Sequence, residues 1–131
     1  MRIELLLNFN FEASHSLVGY EEPHPHLWNL EIAFTGTPID GKIVDMVSLR
    51  VSLQNLIDPI IKTYLNENGH VDESVRAFPT CETLSQHFLT QSQNLIDQHY
   101  CSHNSSLRVS SVRIGICDLN GCEAGAVKIS L

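Results

Sequence analysis

Between residues 2 and 14, Ile3, Leu5, Leu7, Phe9 and Phe11 take every second position. Side chains of an extended chain point alternately to opposite faces, so this run predicts a strand with one buried face and one wet face. Such a strand needs a partner for its backbone N–H and C=O groups. The stretch from His26 to Thr35 is rich in aromatic and β-branched residues and stops at Gly36-Thr37-Pro38 and Asp40-Gly41. It reads as a second strand, paired antiparallel with the first.

Helical spacing takes over after Gly41. Asp45 is a good N-cap, and Met46, Leu49, Leu53, Leu56, Ile57, Ile60 and Tyr64 follow at steps of three and four, the mark of an amphipathic helix. Pro59 lies inside that run and has no N–H to donate, which predicts a kink or a break. Pro79-Thr80 opens a second helix, whose Leu84, Phe88, Gln91 and Leu95 share one face up to about Tyr100. Alternation returns in Leu107 to Ile116 and in Glu123 to Leu131, a hairpin around Asn120-Gly121. The order strand, strand, helix, helix, strand, strand predicts an α+β fold, a four-stranded antiparallel sheet with both helices on one face. Two sheet edges and one uncovered face would remain, and self-association is one way to cover them.

With 131 residues, 43% of them hydrophobic, and no repeat, linker or low-complexity tract, the whole chain 1–131 is expected to be one domain. A formal charge of −7 argues against nucleic acid or an anionic membrane as partner. No apolar stretch is long enough to span a bilayer. The first residues place Glu4 inside their only apolar run and lack a small-residue cleavage site, so a secretory leader is not expected. Cys81, Cys101, Cys117 and Cys122 contain no C-x-x-C pair and are expected to be reduced thiols in a cytoplasmic protein.

Seven histidines are present, and His24 and His26 stand two apart where the second strand begins. In extended chain that spacing turns both rings to one side. His15 ends the first strand, and a short hairpin would bring it opposite the pair. Three imidazoles can then converge on one ion and leave a fourth position open, the arrangement of catalytic rather than structural zinc.

The surroundings of these histidines carry a resemblance. The stretch Phe9-Asn10-Phe11-Glu12-Ala13-Ser14-His15-Ser16-Leu17 is followed in order by His24-Pro25-His26, Gly41-Lys42-Ile43-Val44-Asp45, Leu65-Asn66 and Pro79-Thr80-Cys81-Glu82. This succession resembles the 6-pyruvoyl-tetrahydropterin synthase / 6-carboxytetrahydropterin synthase family: an F-x-A-x-H-x-L strand, an H-G-H pair, a G-x-x-x-D helix start, an L-N helix end and a P-T-x-E helix start. The resemblance implies a tunnelling fold whose subunits join their sheets into a barrel, usually a homohexamer of two stacked trimers. It implies Zn2+ held by His15, His24 and His26, and a lyase acting on dihydroneopterin triphosphate or a related pterin. The bacterial 6-carboxytetrahydropterin product lies on the route to queuosine. Thr80 and Glu82 match the helix start near the pterin pocket, and would bind substrate or serve as an ordinary cap and first-turn acid.

Several chemical positions depart from the family. The usual catalytic cysteine, four residues before the first histidine of H-G-H, is replaced by Tyr20, and one branch uses glutamate in this region, so Tyr20, Glu21 and Glu22 are the candidates for proton transfer. Ile61 and Lys62 stand where an Asp-His pair precedes L-N, with Lys62 and His70 the nearby titratable groups. Ile116 stands where a glutamate usually anchors the pterin, with Asp118 and Glu123 close by, and Pro25 replaces the glycine of H-G-H. Arg50, Arg76, Arg113 and Lys128 are the cations available for phosphates. Two readings follow: a zinc-dependent pterin synthase-like enzyme with substitute acid/base groups, or a non-catalytic homologue that keeps the metal site as a binding or structural module.

Overall fold

The computed structural model describes residues 2–17, 22–118 and 120–131. Among these, four strands form one sheet: β1 (Glu4–His15), β2 (His24–Thr35), β3 (Arg108–Cys117) and β4 (Glu123–Ser130), in the order β1-β2-β3-β4. All neighbours run antiparallel. Three α-helices lie between β2 and β3: α1 (Met46–Ile57), α2 (Glu73–Ala77) and α3 (Cys81–His99).

The predicted alternation is what the sheet buries. Leu7, Phe9, Phe11 and Ala13 of β1, Trp28, Leu30 and Ile32 of β2, and Val112 and Ile114 of β3 form one core with Leu49, Leu53 and Ile57 of α1 and Leu84, Phe88 and Ile96 of α3. Phe11 is the hinge of this packing, with ring centroids 6.3 Å from Trp28 and 6.1 Å from Phe88. The opposite face carries Asn8, Asn10, Glu12, Asn29, Glu31 and Arg113, as parity requires.

Asp45 caps α1 through Ser48 N. The helix stops at Ile57, and a 3-10 turn at Asp58–Ile60 follows with Pro59 inside it, so the sequence signal at Pro59 proves to be a break. The expected continuation to Tyr64 does not form. Instead Lys62 takes φ 59° and residues 62 to 64 turn back along the outer edge of β1. Lys62 N donates to Glu12 O at 2.6 Å and Ser14 N donates to Thr63 O at 2.8 Å. The short helix α2 was not foreshadowed, because five residues are too few to show a helical period. Thr80 caps α3 in a reciprocal box with Thr83.

β2 begins at His24, two residues before its aromatic run, and β3 spans Arg108–Cys117, one residue later than its alternation suggested. No helix among the described residues is long and apolar enough to cross a membrane.

Candidate metal centre

The β1–β2 register sets His15 opposite His24 and Ala13 opposite His26. Directly opposed residues share a face, and His26 follows His24 by one strand repeat, so all three rings gather on the helix-covered side at the end of the sheet. Their centroids lie 4.7 Å (His15–His24), 5.0 Å (His15–His26) and 4.7 Å (His24–His26) apart. One ring nitrogen from each lies within 4.8 Å of the other two. Pro25 lies within β2, and its extended backbone lets His24 and His26 share one side.

Each ring is turned by a backbone carbonyl. His15 Nδ1 lies 2.7 Å from Pro79 O, His24 Nδ1 2.8 Å from Glu22 O, and His26 Nδ1 3.4 Å from Cys117 O. A carbonyl oxygen only accepts, so in every ring Nδ1 carries the proton and Nε2 of the neutral ring presents a lone pair. His15 Nε2 and His24 Nε2 then face each other at 3.1 Å. Two bare lone pairs at that distance repel unless a proton or a cation lies between them. Three neutral Nε2 donors with their Nδ1–H groups anchored are the donor set of a zinc or similar transition-metal site, and the three carbonyls are the outer partners such sites use. The residues therefore fit the metal.

Trp28 forms the floor. Its ring centroid is 5.0 Å from His15 and 6.0 Å from His26, and its Nε1 donates to Ala13 O at 3.0 Å. Trp28 is the next residue in the 24, 26, 28 parity series, a signal the sequence contained. His15 is buried, whereas His24 and His26 are half-buried, so the open side of the centre lies toward β2. A groove of about 830 Å³ between α1 and α3, lined by Lys42, Ser48, Ser52, Tyr100 and His103, lies apart and includes none of the three histidines.

The other sequence candidates separate clearly. Tyr20 and Glu21 lie outside the described residues; Glu22 is exposed, with its carbonyl on His24. Thr80 is engaged as the α3 N-cap and Glu82 is an exposed acid in the first turn. Burial, with Glu82 and then Glu123 adding to it, pushes the Cys81 thiol up to about 11, so Cys81 stays protonated near neutrality and supplies no thiolate. Ile116 packs against the hydrophobic core. Asp118 Oδ1 accepts from Asn120 N and Cys122 N, closing the β3–β4 turn.

Glu123 is held by Arg113 and by Asn29, and the hydrogen bond from Arg113 is the main reason its carboxyl lies below the usual range. It lies across Gly115, where a side chain would collide with the carboxylate. Arg113 is thereby occupied, as are Arg50 on Asn8 O and over the Phe9 ring, and Arg76 on Asn68 O and Val71 O. His70 is exposed, with its backbone N–H on Asn68 Oδ1.

Comparison with known proteins agrees with this layout. Residues 4–123 match the family model for 6-pyruvoyl tetrahydropterin synthase. No curated protein sequence matches the chain. Among solved structures, the 6-pyruvoyl tetrahydropterin synthase of Caenorhabditis elegans superposes with a TM-score of 0.72 at 13% identity, covering 100% of this chain and 96% of that one. An uncharacterised protein from Wolinella succinogenes gives 0.70 at 11% identity, with 99% and 98% covered. A Plasmodium vivax 6-pyruvoyltetrahydropterin synthase in which a catalytic glutamate is changed to alanine gives 0.66 at 16% identity, with 100% and 99% covered. With the family model spanning nearly the whole chain on the same four-stranded sheet, this protein belongs to the 6-pyruvoyl tetrahydropterin synthase family.

Proposed function

We propose that this chain is a zinc-dependent, pterin synthase-like lyase acting on dihydroneopterin triphosphate or a related dihydropterin. The observation that carries the reading is the convergence of His15, His24 and His26 with every Nδ1 against a carbonyl and the Nε2 atoms of His15 and His24 facing each other. Family membership supports the pterin substrate class. Bound at this centre, zinc would supply Lewis acidity toward the oxygens of the substrate side chain.

The protein's own part is to orient the substrate and to move protons. The loop between β1 and β2 carries Tyr20, Glu21 and Glu22, and Glu22 is tied by its carbonyl to a metal ligand, so this loop is the place for the acid/base group. The Plasmodium vivax relative, in which a glutamate is a catalytic residue, supports a carboxylate in that role. Thr80 and Glu82 are the proposed pterin-binding residues, supported by their position at the start of the helix whose preceding carbonyl holds His15. Of the four cations named for phosphate, Arg50, Arg76 and Arg113 are engaged, which favours exposed Lys128 among them. A cytoplasmic homohexamer whose sheets join in a barrel completes the proposal, with queuosine synthesis as the bacterial setting of the carboxy product.

The alternative is a non-catalytic homologue with a zinc-dependent binding or structural role. It is favoured by Ile116 and Ile61, both half-buried against the core, and by Lys62, whose backbone N–H is bound to Glu12 O, at the positions where the resemblance expects an anchor and a relay. The deciding experiment incubates zinc-loaded protein with dihydroneopterin triphosphate and follows products by chromatography and mass. Turnover that disappears in His24→Ala and falls about 10²–10⁴-fold in Glu21→Gln or Glu22→Gln is the expected result. Full zinc occupancy with no turnover would leave the binding role.

A further inference from the structure

We infer that Asn66 is a positioning residue for the metal centre, a side-chain clamp that fixes the backbone beside His15. This rests on the reading of the three histidines as a metal site.

The clamp continues a backbone ladder. Glu12 and Ser14 of β1 are bound by Lys62 N and Thr63 O, and Ser14 forms a parallel bridge with Tyr64. At Leu65 the returning segment coils into a 3-10 turn, Leu65–Glu67, and its backbone can no longer follow β1. The Asn66 side chain supplies the next rung in both directions. Ser16 N donates to Asn66 Oδ1 at 3.0 Å and Asn66 Nδ2 donates to Ser16 O at 2.7 Å. A carboxamide presents one donor and one acceptor side by side, as a peptide group does, so it can close such a pair where a carboxylate or hydroxyl cannot. Ser16 Oγ and Tyr64 OH, 2.5 Å apart, add a third link.

The consequence falls on His15. Its backbone neighbours on both sides, Ser14 and Ser16, are held by the 63–66 segment, and its ring is held by Pro79 O. His24, by contrast, has its Nδ1 on Glu22 O, a partner only two residues away in sequence. His15 is thus tied to more distant parts of the chain than His24 is. A ligand set held before metal arrives loses less conformational freedom on binding, so loosening the clamp should appear as weaker metal binding. Asn66 touches no metal-facing atom and acts through the backbone of Ser16.

The test compares zinc affinity, by competition with a chelator, and the visible spectrum of the cobalt-loaded protein for the unaltered chain, Asn66→Leu, and Ile96→Val. Asn66→Leu keeps the shape and removes both hydrogen bonds, while Ile96→Val trims the α3 core and controls for general destabilisation. The expected result is a loss of about 10–100-fold in zinc affinity with an altered cobalt spectrum for Asn66→Leu, and neither change for Ile96→Val. Zinc affinity and cobalt spectrum in Asn66→Leu equal to those of the unaltered chain would overturn the clamp and leave the metal site standing. Absence of metal binding in the unaltered chain would overturn both.

Discussion

The two outer strands of the sheet are finished in opposite ways. β1 buries Leu7, Phe9, Phe11 and Ala13 under the helices, and its outer edge is occupied: Arg50 caps Asn8 O, and residues 62 to 64 bind Glu12 and Ser14. β4 has no buried residue from Glu123 to Ser130, its apolar Val127 and Ile129 are only half-covered, and among the described residues nothing binds its outer edge. His15, a candidate metal ligand, sits at the end of the finished strand. The paired edge thus lies beside the three histidines, and the unpaired edge of β4 leaves backbone groups open to pairing.

The sharpest way to break this comparison is to shorten one side chain on each strand. Phe11→Ala removes a buried ring between Trp28 and Phe88 and is expected to cost about 3–5 kcal/mol in chemical denaturation. Val127→Ala should cost about 1 kcal/mol or less at low protein concentration. A larger cost that grows with concentration would show that another copy covers β4, and sedimentation would report the assembly.

A second contrast is in pH. His87, on the same helix as Phe88, is buried with its Nδ1 3.2 Å from Asp72 Oδ2. Burial lowers its pKa below the ordinary 6.5 and outweighs the opposing pull of Asp72. Below that ordinary value the unfolded chain takes up a proton that the folded chain refuses, so stability present above about 6.5 declines as pH falls toward the folded pKa. Thermal melting of the metal-free protein between pH 7 and 5 should show this decline, and His87→Gln should flatten part of it. A slope unchanged by that substitution would remove His87 from the account.

The smallest effect concerns the turn at Lys62 that starts the segment along β1. Lys62 holds φ 59°, which costs a side-chain-bearing residue about 1–2 kcal/mol, while glycine gives back about 0.5–1 kcal/mol in unfolded-state entropy. Lys62→Gly should therefore raise stability by about 0.5–1 kcal/mol and leave metal binding unchanged. Destabilisation would mean that the Lys62 side chain contributes contacts beyond its backbone bond to Glu12.

Much of this could be read from local pattern. Period-two alternation marked β1, β3 and β4, aromatic and β-branched content marked β2, the spacing of His24 and His26 marked one face of β2, and Pro59 marked a break in α1, because each depends only on neighbouring residues. What the pattern could not carry were contacts made across the chain. The Pro79 carbonyl on His15, the return of residues 62 to 64 along β1, and the Asn66 pair with Ser16 join segments about 50 to 64 residues apart, and no periodicity encodes them. Glu123 looked available in the sequence because its tie to Arg113 depends on β4 lying beside β3. The proposed acid/base group is the hardest to read, since no alternation or helical period runs through the sequence around Tyr20, Glu21 and Glu22.

The central claim is that His15, His24 and His26 form one metal centre. The most direct test is equilibrium titration of the metal-free protein with zinc, beside the His24→Ala/His26→Ala double variant, with bound metal counted per chain. One zinc per chain in the unaltered protein and none in the variant is the predicted result; equal zinc in both would contradict the account.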